Sequence, residues 1–160
     1  MGIVSDTHVY DRAEELGSEV LEAFRRHGVE LILHAGDLTS TDVIEELREV
    51  AEVVAVQGNM DAYYGTSLPP KEVLTLGRHR VLLFHGSGIY PRGNPEKLAY
   101  LAKEHGCGVV VTGHTHRAAL VEMGGVRIIN PGSPTSPRGG YPSVAIAEFG
   151  DSLRVEFLRV

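Results

Sequence analysis

Among the residues that follow apolar runs, seven have side chains of the kind that bind metal ions: Asp6, His8, Asp37, Asn59, His85, His114 and His116. Together they offer carboxylate, amide and imidazole ligands. The single cysteine, Cys107, precedes an apolar run and is interpreted as a small core residue. A thiolate zinc site is therefore excluded, and oxygen ligands combined with imidazoles favour hard to borderline divalent cations.

The spacing and number of these side chains predict two ions rather than one. In an extended segment, residues two apart point the same way, so Asp6-Thr7-His8 and His114-Thr115-His116 each present two ligands on one face. Seven ligands are more than one ion normally takes from a protein. Two ions about 3.5 to 4 Å apart that share a carboxylate would use them all and leave positions for water and substrate.

Short strands that alternate with amphipathic helices must position these residues. Helical periodicity predicts helices over 13–27, 41–50 and 94–105. Strand and helix in alternation are typical of βαβ units and a parallel sheet. Because the ligand residues follow the strands, we expect them to meet at the carboxyl edge of the sheet, where α/β proteins bind ligands. Apolar runs predict the strands at Ile3–Val4, Leu31–Leu33, Val53–Val56, Val81–Phe84 and Val109–Val111.

The pattern changes after Arg117, where strand-like segments follow one another at 119–123, 126–129, 143–149 and 153–160. Gly124-Gly125 and Gly150-Asp151 are typical of hairpin turns, so this third of the chain is predicted to form an antiparallel meander. The Pro- and Gly-rich segment 130–142 is too short for a domain linker and is interpreted as a loop that borders the site. One α/β domain over residues 1–160 is expected.

Composition excludes several classes of protein. The chain has 160 residues, of which 42% are hydrophobic and 22% charged, as in ordinary globular proteins. Its net charge is −6 with no block of basic residues, which argues against extended contact with nucleic acid. No apolar run approaches the roughly 18 residues that cross a bilayer, and the opening residues do not resemble a signal peptide. We therefore expect a cytoplasmic protein without a membrane segment.

Each motif taken alone has an ordinary explanation. Asp-x-His and His-x-His pairs are common on protein surfaces, whereas the complete ordered series at strand ends indicates a site. Asp61 is interpreted either as a residue that orients a metal ligand or as a turn former. Arg117 and Arg138 lie near the expected site, where each either binds a phosphate oxygen or is simply solvated.

The ordered motifs Asp6-x-His8, Gly36-Asp37, Gly58-Asn59-x-Asp61, His85-Gly86 and Gly113-His114-Thr115-His116 resemble those of the calcineurin-like metallophosphoesterase superfamily. Within it, the chain is most similar to the small single-domain phosphodiesterase branch. The resemblance extends from Ile3 to the segment 130–133. It implies two packed mixed β-sheets flanked by helices, a four-layer αββα sandwich, with the metal site at the C-terminal ends of the strands.

The resemblance also implies a role for each ligand residue. Asp37 would bridge the two ions, and the catalytic residues would be Asp37, Asn59 and His114. A hydroxide shared by both ions would attack phosphorus in line with the leaving oxygen of a small organic phosphate ester. The ions themselves remain open among Mn²⁺, Ni²⁺, Fe²⁺ and Zn²⁺. The first ion would be held by Asp6, His8, Asp37 and His116, and the second by Asp37, Asn59, His85 and His114.

One position departs from the family pattern. Many members carry a histidine directly after the asparagine, where it contacts phosphate and serves as an acid for the leaving group, whereas this chain has Met60. The departure puts cleavage of esters with poor leaving groups in doubt, unless another group donates the proton. It also weighs against a phosphomonoesterase, which is one alternative. The other is a metal-binding interaction scaffold without activity, since the superfamily includes a protein-sorting subunit. A homodimer is expected from the family alone.

Overall fold

The computed structural model describes every residue from Met1 to Val160 and contains two five-stranded β-sheets. The helices are α1 (Ser18–Arg26), α2 (Asp42–Arg48), α3 (Asn59–Tyr63) and α4 (Pro95–Glu104). The strands, in chain order, are β1 (Gly2–Val4), β2 (Leu31–His34), β3 (Glu52–Ala55), β4 (Lys71–Leu76), β5 (His79–Phe84), β6 (Val109–Val111), β7 (Ala118–Met123), β8 (Val126–Pro131), β9 (Ser143–Phe149) and β10 (Leu153–Arg159).

Both sheets are mixed, with a parallel centre. The first has the order β10-β9-β1-β2-β3, in which β1, β2 and β3 are parallel and Gly2 pairs with Ile32. The second has the order β4-β5-β6-β8-β7, in which β5, β6 and β8 are parallel and Val109 lies between Val81 and Arg127. The remaining strands are antiparallel to their neighbours. The parallel strands of each sheet therefore end at a common edge.

The core consists of three apolar clusters that define four layers. Between the sheets, residues of both pack together, among them Ile3, Leu33 and Val111. Phe24 of α1 and Leu47 of α2 belong to a cluster that covers the outer face of the first sheet. A third cluster lies on the outer face of the second sheet, where it contains Leu98, Ala99 and Ala102 of α4. The predicted αββα sandwich is confirmed. None of its helices has the length and apolar character that a membrane crossing requires.

The C-terminal third is not the single meander that the sequence pattern predicts. Strands β7 and β8 form a hairpin in the second sheet, whereas β9 and β10 form a hairpin in the first. The segment 132–142 therefore crosses from one sheet to the other. The two hairpin turns themselves are confirmed, but a local turn pattern does not specify which sheet a hairpin joins.

Two elements were missed and one was predicted too long. Strand β4 lies at the edge of the second sheet and α3 is one short turn, so neither has the long apolar period of a buried element. The predicted helix over 13–27 begins only at Ser18. Gly17 has a φ of 89°, in the left-handed region, so the helix cannot extend before it.

Candidate metal centre

The structure brings the seven ligand residues predicted from the sequence together between the carboxyl ends of the two sheets, where five of them line one cavity and Asp6 and His85 lie buried beside it. Asp6 and His8 follow β1, and Asp37 follows β2. Asn59 is the first residue of α3, His85 follows β5 directly, and the two remaining histidines follow β6. Five of the seven are buried, His114 is half-buried and Asn59 is exposed. The convergence of parallel strands thus gathers residues from five separate segments.

The ligand loops are not extended, contrary to the assumption behind the spacing argument. Asp6 and His8 have φ values of 55° and 45°, Asp37 has 57°, and His114 and His116 have 67° and 59°. Left-handed backbone is uncommon for residues other than glycine. Strain of this kind is typical of functional sites, where surrounding structure maintains it. Here it turns the chain sharply at the rim, so that alternate side chains still enter the cavity.

Six of the side chains form two groups, and within each group the ligand atoms lie within 4.8 Å of one another. One group is Asp6, His8 and His116, and the other is Asp37, His85 and His114. His114 and His116 therefore enter different groups although a single residue separates them. Asp37 lies between the groups. Its Oδ2 is 3.2 Å from Nε2 of His85 and 3.6 Å from Nε2 of His8.

Three of the histidines are fixed in the same tautomer by hydrogen bonds on their outer side. Nδ1 of His8 donates to Asp11, at 2.9 Å from Oδ2. Nδ1 of His85 donates to the carbonyl of Ala35 (2.7 Å), and Nδ1 of His116 donates to the carbonyl of Ser136 (2.6 Å). Because Nδ1 carries the proton, the Nε2 lone pair of each ring points into the cavity. Metal-binding histidines are oriented by outer hydrogen bonds of this kind.

Three buried polar atoms have no hydrogen-bond partner, and all three belong to residues of the two ligand groups: Oδ1 of Asp6, Nε2 of His8 and Nε2 of His85. Buried polar atoms are normally paired, so unpaired atoms need an explanation. The other oxygen of Asp6 is well satisfied, since it accepts hydrogen bonds from Oγ of Ser5 (2.8 Å) and the amide of His114 (2.9 Å). Lone pairs converging from opposite sides fit divalent cations as the missing partners.

The pKa shifts of Asp6, His114 and His116 agree with this interpretation, whereas the pKa of His85 is raised, because its burial is outweighed by the nearby carboxylates of Asp37 and Asp6. Burial raises the pKa of Asp6 to about 7, since a desolvated carboxylate lacks compensating positive charge. Burial, assisted by the cationic neighbours of each ring, lowers the pKa values of His114 and His116 to about 4. Both rings are thus neutral near pH 7, the state that a metal ligand requires. A bound cation would supply the positive charge that the environment of the Asp6 carboxylate lacks.

Asp61 is a central support of the site, and its contacts are to backbone amides rather than to an imidazole. Its carboxylate accepts the amide hydrogens of Asp37 (2.8 Å), Gly58 (2.8 Å) and Thr39 (2.7 Å). It therefore ties the loop after β2 to the start of α3. The amide of Met60 in turn donates to Oδ1 of Asp37 (2.8 Å), which leaves Oδ2 free to face the histidines.

Two glycines permit the close approach of these loops. A Cβ at Gly58 would overlap the side chain and amide of Asp37, and a Cβ at Gly113 would overlap Ser5 and Asp6. Neither contact has room for a side chain.

His34 lies beneath the site. Its Nε2 forms a hydrogen bond with Oγ1 of Thr7 (3.1 Å), and its Nδ1 accepts the amide hydrogen of Gly36 (3.1 Å). Burial lowers its pKa to about 3.

Arginines surround the mouth of the cavity, which has a volume of about 80 Å³. Arg12, Arg92 and Arg138 line it together with Asn59 and Met60. The sequence analysis considered Arg138 but missed Arg12, Arg92 and the His8 partner Asp11. No motif marks the arginines, and only the i, i+3 spacing from His8 could have indicated Asp11. In a chain of net charge −6, three guanidinium groups at one opening favour an anionic ligand.

Known proteins with similar sequences or structures include metallophosphoesterases and Vps29 proteins. A probable metallophosphoesterase of Methanothermobacter thermautotrophicus is 46% identical over 160 residues, which are 99% of this chain and 91% of the relative. The structure of Vps29 from Entamoeba histolytica in complex with Zn²⁺ has a TM-score of 0.81 at 26% identity, covering 98% of this chain and 97% of that one. An archaeal phosphodiesterase has a TM-score of 0.72 at 25% identity and covers 98% of both chains.

The match extends to the whole domain. The model of the calcineurin-like phosphoesterase superfamily domain matches residues 1–152, which include every ligand residue considered above. By sequence, by fold and by relatives, this protein belongs to the calcineurin-like phosphoesterase superfamily.

Proposed function

We propose that this protein is a metal-dependent phosphodiesterase that binds two divalent ions and hydrolyses a small organic phosphate ester. The observation that carries the proposal is the pair of ligand groups with Asp37 between them. Two sets of unpaired lone pairs on either side of a shared carboxylate are suited to two ions and poorly suited to one. The archaeal relative named as a phosphodiesterase supports the reaction class.

The first ion would be held by Asp6, His8 and His116, and the second by Asn59, His85 and His114, with Asp37 binding both. When bound, divalent ions supply a nucleophile from water near neutral pH and neutralise charge on phosphoryl oxygens. The protein would hold the two ions and the substrate in fixed positions relative to one another.

Individual side chains would divide the remaining work. Asp37 fixes the separation of the two ligand groups, because its amide and Oδ1 are both held by hydrogen bonds. Asn59 and His114 reach the cavity from its mouth, where the phosphoryl group would enter. Arg12, Arg92 and Arg138 attract its negative charge.

Met60 shapes the choice of substrate. It lines the cavity at the position where many relatives place a histidine, so no imidazole is available there to protonate a departing oxygen. Aryl and other stable leaving groups need little protonation and should be cleaved well. We therefore propose a diester of this kind as substrate rather than a monoester.

The wider setting of the enzyme is part of the same proposal. Residues 1–160 would act as one domain in the cytoplasm on a small substrate, without extended nucleic-acid contact or a membrane segment. A homodimer stays a prediction from the family.

A second candidate function is a metal-binding scaffold without turnover. The similarity to Vps29, which belongs to the vacuolar protein sorting proteins, favours it. The candidates differ in one measurable property, because a scaffold would bind metal at the same residues and hydrolyse nothing.

The test uses metal-stripped protein to which Mn²⁺, Ni²⁺, Fe²⁺ or Zn²⁺ is added, with bis(p-nitrophenyl) phosphate as diester and p-nitrophenyl phosphate as monoester. We expect turnover of the diester with at least one ion and slower turnover of the monoester. His116→Asn should abolish turnover, whereas His105→Asn, at the end of α4, should not. Full metal loading without turnover of either ester by any ion would refute the enzyme and support the scaffold.

A further inference from the structure

A second cavity, with a volume of about 400 Å³, adjoins the metal cavity. It lies between the start of α4 and the strands β7 and β8. Arg92 and Arg138 line both cavities and so mark their common boundary. The metal cavity, at about 80 Å³, has a fifth of that volume, and eight of its nine lining residues are polar or charged. An apolar ester arm would therefore lie outside it.

The wall between the two cavities is the ligand loop after β6. His114 and His116 face the metal cavity, whereas the intervening Thr115 faces the larger one. The backbone of Gly93 packs against this wall so closely that a Cβ there would lie 2.6 Å from Cγ2 of Thr115. Arg92 is thus carried by a segment that rests directly on the ligand loop. Only the ligand loop would separate a group bound in the larger cavity from the metal cavity.

Polar side chains that line the larger cavity are already engaged within the protein. Nδ2 of Asn130 donates to the carbonyl of Gly113 (2.8 Å) and to Oγ1 of Thr115 (3.0 Å). Oγ1 of Thr112 donates to the carbonyl of His85 (3.0 Å). A ligand rich in hydroxyl groups would find few free partners here, and leaving such groups unpaired is costly.

The two guanidinium groups at the boundary are the exception. Arg117 donates through Nε to the backbone carbonyl of Arg138 (2.8 Å), but the side chains of Arg92 and Arg138 have no acidic partner. The arginines that do form salt bridges in this chain are Arg12, Arg25, Arg48 and Arg78. Unpaired guanidinium groups recognise phosphoryl oxygens and stack on the faces of aromatic rings.

The rest of the lining is apolar. Leu98 of α4, Ala119 and Val121 of β7, and Ile128 of β8 contribute to it. Val121 is 38% exposed, so its side chain is accessible to a ligand in this cavity. A concave cavity of about 400 Å³ that combines an apolar lining with a few polar groups is typical of small-molecule sites.

We propose that this cavity, called here the arm cavity, binds one ester arm of the substrate and that this arm is an apolar aromatic ring. The charge of the diester would face Arg92 and Arg138 at the boundary. The inference rests on the proposed function and adds to it the place where the aryl arm of an anionic phosphodiester would bind.

The test compares two anions that differ only in their arms and cannot be hydrolysed, diphenylphosphinate and dimethylphosphinate. Their binding to Mn²⁺-loaded protein is measured by titration calorimetry. We expect diphenylphosphinate to bind at least about tenfold more tightly, because its ring is removed from water. Ala119→Trp fills the cavity and should remove this preference. Leu120→Trp is the matched control, since alternate residues of β7 face opposite ways, and should retain it.

Further variants separate a filled cavity from a damaged fold. Val121→Trp should have the same effect as Ala119→Trp, and a thermal melt of each variant reports whether it folds. Arg92→Gln should weaken both phosphinates by a similar factor, since the shared phosphinate group contacts the guanidinium. Equal affinity of the two phosphinates for the wild type, or a preference that survives in folded Ala119→Trp and Val121→Trp, would overturn the proposal.

Failure of the arm cavity is distinguishable from failure of the proposed function. The titration reads binding alone and is repeated with chelator, because Arg92 and the apolar lining do not depend on metal. A preference for the phenyl arm without turnover of any diester would overturn the phosphodiesterase but retain the ligand site. Turnover of bis(p-nitrophenyl) phosphate without a preference for diphenylphosphinate would support the phosphodiesterase and overturn the arm cavity.

Discussion

Asp61 offers the sharpest test of how the site is held in place. It is fully buried and accepts three backbone hydrogen bonds, two at Oδ2 from Asp37 and Gly58 and one at Oδ1 from Thr39. Asp61→Asn preserves the shape of the side chain but replaces one acceptor oxygen with an NH₂ group. The favourable orientation puts that group at the Oδ1 position, where it faces the amide of Thr39 and can accept nothing.

The expected loss of stability follows from these bonds. One buried amide, that of Thr39, loses its acceptor, which costs about 1 to 3 kcal/mol. The other two bonds change from charged to neutral acceptors, at about 1 kcal/mol each. Burial raises the pKa of Asp61, so removal of the desolvated charge offsets part of this loss, and the net loss is about 2 to 4 kcal/mol. In a chain of 160 residues each kcal/mol lowers the melting temperature by about 2 to 4 °C, so a decrease of about 10 °C is expected.

The assay is urea and thermal unfolding in chelator, with Asp151→Asn as the control because that carboxylate is exposed. The control should match the wild type. Asp61→Asn should also bind Mn²⁺ more weakly, since the loops that carry Asp37 and Asn59 lose their common anchor. A loss of less than about 1 kcal/mol would refute the reasoning, because it would mean that these amides find other partners without cost.

Other predictions concern the ligands themselves. Asp37→Ala should abolish activity and bind clearly less than two ions per chain by elemental analysis, and two fully bound ions would contradict the bridging role. Saturating metal should stabilise the wild type by about 2.7 kcal/mol for each occupied site at a hundredfold excess over the dissociation constant, whereas identical melting curves with metal and with chelator would count against the site. In chelator, folded Asp6 retains a proton up to about pH 7 that the unfolded chain loses near its ordinary 3.8, so stability should fall as pH rises between these values. Asp6→Asn should remove that decline, as urea unfolding at pH 4 and pH 8 will show, and an unchanged slope would exclude Asp6 as its source. Met60→His should accelerate alkyl diesters by about a hundredfold while aryl diesters change little, and an unaltered dependence on leaving-group pKa would exclude the role assigned to the imidazole.

Much of this architecture was predictable because buried parallel strands have an unmistakable pattern. The runs that form β1 and β6 are buried at every residue, so their apolar character is continuous. The polar residues after them could be placed at one edge of the sheet by topology alone. Burial and parallel pairing together explain why the sequence predicts that these seven residues lie close together.

The features that escaped prediction depend on contacts between distant segments. Strand β4 is exposed at alternate residues and lies at a sheet edge, so only its partner β5 defines it. The role of Asp61 depends on amides 22 and 24 residues earlier in the chain. Arg92 lies 22 residues before His114 in sequence and becomes its neighbour only when Gly93 packs on Thr115. No local pattern records such approaches.

Position 60 shows that the backbone and the side chain of one residue can serve a site differently. The amide of Met60 donates to Oδ1 of Asp37, and this bond requires only a backbone N–H. Any residue but proline can therefore stand at position 60 and still hold the carboxylate between the two ligand groups. The side chain, in contrast, lines the cavity. Under the proposed function, a chain with methionine there would keep both ion sites, and its substrates would be esters whose arms leave without an acid.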